Sequence, residues 1–129
     1  MINIILSIVS ANLKDNEIYI LSTDQNKIIF PTFTPNNCKN LQRDIITFIK
    51  TIFLNDKYID NYEDRIQLLG INNDIINNLF DNHNINILYG LTLPPLDTNN
   101  GYFWKTFNFM DTNIPNELSI IGDTIKYGL

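Results

Sequence analysis

The sequence predicts an α+β domain in which a mixed, mostly antiparallel sheet is covered by helices on both faces. Three observations lead there. Short β-branched runs separated by polar turns fill the first thirty residues; a strongly amphipathic helix follows; and two further strands precede a C-terminal helix. With 129 residues and 44% hydrophobic side chains, the chain has apolar material for one core, so residues 1–129 read as a single domain.

The first strand is the apolar run Ile2 to Ser10, followed by a polar turn at Asn12 to Asn16 and a second strand at Ile18 to Leu21. Asp24-Gln25-Asn26 turns the chain into a third strand, Ile28 to Phe30, and prolines 31 and 35 then punctuate a loop over Thr32 to Asn37. The main helix runs from Cys38 or Lys39 to Leu54. Its stripe of Leu41, Ile45, Phe48, Ile49 and Ile52 predicts a face buried together against the sheet, with Asn36 or Asn37 as cap.

Asn55 to Leu69 carries no clear period. If helical, it would gather Asp60, Glu63 and Asp64 on one face, which reads as a solvated acidic turn paired with Lys57 and Arg65 rather than a cation site, because the glycine turn of a calcium loop is missing. A second helix is expected over Asn72 to Asn82, capped by Asn72 or Asn73, with Ile75, Ile76, Leu79 and Phe80 inward. Asn86 to Leu93 and Tyr102 to Phe109 read as strands of one long hairpin with Pro94-Pro95-Leu96 at its tip. In the second of them Phe103, Phe107 and Phe109 share the expected core side. Asn113, Pro115 and Glu117 open a terminal helix with Leu118, Ile121 and Ile125 on one face.

Composition narrows the function. A formal net charge of -5, with nine Lys and Arg scattered singly, leaves no basic stripe, so direct nucleic-acid binding is not expected. The run Ile2 to Val9 is too short to cross a bilayer and has no basic flank, so no membrane association is expected. A single Cys38 and the absence of glycosylation sequons fit an intracellular setting. The only His, His83, has no nucleophile in a recognisable local pattern, and no phosphate loop, Gly-x-Ser-x-Gly or His-Glu-x-x-His is present.

The segment Ile28-Ile29-Phe30-Pro31, a loop, and Arg43-Asp44 on the main helix resemble the strand, loop and helix of the Nudix hydrolase motif. The strand bearing Trp104 and the helix from Asn116 also resemble late elements of that fold. The family's paired Glu positions fall here on Thr47 and Phe48, and no Glu lies between Glu17 and Glu63. The resemblance therefore implies a Nudix-like fold without the carboxylates that hold a divalent cation for attack on a diphosphate. It implies no cofactor, no catalytic residues and no metal site. Heavy use of Asn and Ile resembles proteins of AT-rich large DNA viruses and phages.

The leading expectation is a non-catalytic Nudix-like domain acting through protein contacts, as a component of a viral particle or assembly, in host cytoplasm or virion. Its interface is expected at Leu96, Tyr102, Phe103 and Trp104, because aromatics at a proline-rich tip are common anchors. A diverged metal-dependent nucleoside-diphosphate hydrolase would instead draw on Asp44, Glu63, Asp64 and Asp111. A longin- or profilin-like interaction module is the third reading.

Overall fold

The computed structural model describes residues 2–12, 17–35, 38–72, 85–106 and 120–125. Its centre is strand β1 (Ile2–Asn12), apolar on both faces because both are covered. One edge of β1 pairs in parallel with β5 (Ile85–Thr92), from Ile2 opposite Ile85 to Val9 opposite Thr92. Its other edge is shared by two antiparallel partners. β2 (Glu17–Ser22) takes the C-terminal end of β1, and the two-residue β3 (Thr32–Phe33) takes Ile4 and Ile5. The antiparallel strands β4 (Gln67–Ile71) and β6 (Phe103–Thr106) lie outermost, giving the order β4-β5-β1-β2-β6. The sheet is thus mixed and mostly antiparallel, as predicted.

Alternation along β1 divides the core. Ile4, Leu6 and Ile8 face helix α1 (Leu41–Ile52), together with Ile45, Ile49, Ile52, Phe53 and Ile59. Ile5 and Val9 point the other way, against Ile20, Phe30, Leu88 and the helical turn at residues 120–125, where Ile120 and Ile121 are buried. Helices therefore cover both faces. On the second face the Thr124 hydroxyl lies 2.7 Å from Ser7 Oγ and 2.8 Å from the Ile120 carbonyl. With one proton to give, Thr124 donates to the carbonyl and accepts from Ser7, which joins the helix to the middle of β1.

Helix α1 starts later than the sequence suggests. Residues Cys38–Asn40 form a 3-10 turn, and the cap is Asn40, whose side chain accepts from Arg43 N at 3.1 Å. Asn36 and Asn37 lie outside the described residues. Ile45, Ile49 and Ile52 are buried as expected, Ile46 joins them, and Leu41 and Phe48 are only half-buried at the margin.

Two further expectations are corrected, and two segments without a clear pattern take form. Ile28 to Phe30 is not a strand: the Ser22 hydroxyl accepts from Asp24 N and Ile29 N and donates to the Lys27 carbonyl, closing the loop through a side chain. The strand comes after Pro31, whose carbonyl accepts from Leu6 N at 2.9 Å. Asp56–Arg65 forms a 3-10 helix, favoured by apolar Ile59 and Tyr62 three apart, so Asp60 and Glu63 eclipse while Asp64 turns away. Asp60 pairs with Lys50 of α1 at 2.7 Å, and Arg65 sits over the Tyr62 ring.

The outer strands account for the rest. The segment Gln67–Ile71, unassigned by pattern, is edge strand β4. The expected hairpin between β5 and β6 does not exist. β5 lies between β4 and β1, β6 lies beyond β2, and the chain joining them crosses the α1 face. That crossing is tied down: Leu93 N donates to the Val9 carbonyl, Asn99 N to the Ile52 carbonyl, and the Asn99 side chain to the carbonyls of Thr51 and Phe53. Asn99 thereby satisfies carbonyls that the end of α1 leaves open. The expected helix beyond Asn72, the ends of the strand past Thr106 and of the terminal helix before Ile120, and His83 lie outside the described residues.

Candidate functional site

Helix periodicity places Asp44, Thr47, Phe48 and Thr51 along one flank of α1. Facing them is the stretch Phe33-Thr34-Pro35, held against β1 by the pairing of Phe33 with Ile4 and by a hydrogen bond from the Thr34 hydroxyl to Asn3 Oδ1. Together these seven residues line an open hollow of about 390 Å³. Its floor is an aromatic stack, Phe33 on Phe48, with centroids 4.5 Å apart and planes inclined by 20°. The positions the sequence marked, Asp44 with Thr47 and Phe48, therefore do converge on one surface site.

The described lining offers few ligands for a metal ion. A divalent cation needs several oxygen ligands, with carboxylates supplying the charge. The described residues of the hollow include one carboxylate, Asp44, and the two neighbouring motif positions offer a hydroxyl and a phenyl ring. Glu63 belongs to a second, more polar hollow of about 510 Å³, formed with Asn40, Gln42, Arg43, Lys50 and Asp60. Asp64 is exposed on the 3-10 helix, and Asp111 lies outside the described residues. Among the described residues no three His, Cys, Asp or Glu side chains are close enough to hold a metal ion. Asp44 and Glu63 thus line different hollows.

Leu96, Tyr102, Phe103 and Trp104 are all half-buried. Leu96, Tyr102 and Trp104 pack on the α1-side core, Trp104 6.0 Å from Phe53, and the indole Nε1 donates to the Leu96 carbonyl at 2.7 Å. Phe103 joins neither core cluster. The Trp104 side of β6, and not the Phe103 side, therefore faces the core that contains α1.

Two features had no sequence signal of their own. Phe33 sat inside a polar Thr-Phe-Thr-Pro loop, where a lone aromatic is the only hint. An apolar strip of Leu68, Ile71 and Ile85, 54%, 53% and 45% exposed, lies on the α1 face of the sheet at its β4 edge, beyond the reach of the helix. The register puts them there: Leu68 is opposite Tyr89 and Ile71 opposite Ile87, both of which pack on the α1-side cluster. Burial pushes the Tyr89 phenol pKa up. No helix among the described residues is long and apolar enough to cross a membrane. Comparison with known proteins found no matching family model, no similar curated protein and no similar solved structure.

Proposed function

We propose that this chain is a non-catalytic, Nudix-like domain that works by protein-protein contact, as a component of a larger assembly such as a viral particle. The observation that carries the reading is the Phe33 and Phe48 stack. In the motif that Phe30-Pro31 and Arg43-Asp44 resemble, the Phe48 position would face a metal; here a ring closes onto another ring, and Asp44 is the only acid among the described residues of the hollow. An aromatic floor rimmed by hydroxyls suits a partner's side chain. The exposed strip of Leu68, Ile71 and Ile85 adds apolar surface of the kind interfaces cover. Phe103 supplements it, since Leu96, Tyr102 and Trp104 commit much of their surface to the core.

Photo-crosslinking tests the reading. A benzophenone amino acid placed at Thr51 or Leu68, in the chain expressed in its native setting, should yield defined protein adducts, while the same group at Thr23 on the remote turn should not. Absence of adducts at both Thr51 and Leu68 would reject contact as the function.

A further inference from the structure

The lining of the hollow beside α1 is asymmetric in hydrogen bonding. Each of its three threonine hydroxyls has already given its proton away: Thr34 to Asn3 Oδ1 at 3.1 Å, Thr47 to the Arg43 carbonyl at 2.8 Å, and Thr51 to the Phe48 carbonyl at 2.6 Å. A hydroxyl carries one proton, so each can now only accept. Asp44 is an acceptor when ionised and has no ion pair among the described residues. Pro35 has no N–H to offer. The described side chains and proline of the hollow thus present acceptors and the exposed parts of two stacked rings to a visitor.

We infer that the hollow receives an arginine side chain from a basic segment of a partner protein. The inference rests on the contact function proposed above and gives that contact its chemistry. A guanidinium supplies five donors and no acceptor, pairs with a carboxylate in a fork, and lies flat on aromatic rings, so it answers each feature of the lining. The size fits: about 390 Å³ is near the lower end of the roughly 300–1,000 Å³ typical of ligand pockets and takes one long side chain with its flanking backbone. The net charge of -5 acts in the same direction, drawing a basic segment toward the chain. An ammonium would fill the charge requirement but not the flat stack, and a neutral or acidic side chain would leave Asp44 unanswered.

The test is a titration of the isotopically labelled full chain, followed by amide chemical shifts, with three capped pentapeptides that differ only at the central residue: Arg, Gln or Leu. The Arg peptide should shift the amides of Phe33, Thr34, Thr47, Phe48 and Thr51 and should bind about tenfold more tightly than the Gln peptide, as one charge-assisted pair warrants. Asp44→Asn should remove that preference, and Asp44→Glu should restore part of it with an unchanged spectrum elsewhere. Equal binding of the Gln or Leu peptide, or an Arg preference untouched by Asp44→Asn, would overturn the inference. Crosslinked partners at Thr51 without any Arg preference would refute the guanidinium and leave the contact function standing; the absence of crosslinks would remove the function itself.

Discussion

Truncating Phe48 to Ala measures what the stack contributes. Deleting a fully buried Phe side chain costs about 3–5 kcal/mol, whereas Phe48 is half-buried at the edge of the α1 face. Roughly half of that transfer and cavity cost remains, and loss of the Phe33 ring at 4.5 Å adds an aromatic-pair contribution of about 0.5–1.5 kcal/mol. The expected loss is therefore about 2–4 kcal/mol. Urea unfolding followed by the fluorescence of Trp104, the single tryptophan, should show it as a drop in midpoint of roughly 1 M or more at the usual slope. Ile49→Ala, one residue along the helix but 0% exposed, should cost more. A loss within about 0.5 kcal/mol for Phe48→Ala would refute the stack as a structural element. A loss equal to that of Ile49→Ala would make Phe48 core, and the hollow would then be a packing gap and not a surface.

Two further outcomes follow from the polar contacts. Thr124→Val should destabilise by about 1–3 kcal/mol, because it strands the buried Ser7 hydroxyl, and Thr124→Ser should recover most of the loss in the same urea assay. The Asp24 carboxyl, which accepts from Asn26 N and Lys27 N, has its pKa held below the ordinary 3.8 chiefly by those backbone bonds. A group depressed on folding contributes stability above its unfolded pKa and loses it as pH falls through the folded one, so the turn should loosen only below about pH 4. A carboxyl carbon titration with a midpoint at or above 3.8 would contradict this.

The parts of the fold legible in sequence were those where local pattern and burial coincide. The apolar run of β1 announces a strand covered on both faces, and the α1 stripe names Ile45, Ile49 and Ile52 correctly. What failed depended on pairing across the sheet. β4 is marked by no alternation, because its ladder slips between Leu68 and Gly70, and a register shift of that kind mixes the two faces in sequence. Pro94-Pro95-Leu96 looked like a hairpin tip, yet the choice of partner for β5 was decided by the open edge of β1, which offered eight residues in parallel register. At the site, the spacing of Asp44, Thr47 and Phe48 was readable from the helix period. Phe33 was not, since only tertiary pairing of β3 with β1 brings it to the helix.

The proposed contact function requires that the hollow beside α1 carry no hydrolytic chemistry. Its most direct test is turnover of a panel of nucleoside diphosphate derivatives by the purified chain with magnesium or manganese, measured beside Asp44→Asn. The one carboxylate among the described residues of the hollow cannot by itself assemble the ligands that metal-assisted attack of water requires, so neither protein should release product above the uncatalysed rate. Metal-dependent turnover by the native chain that Asp44→Asn abolishes would contradict the account.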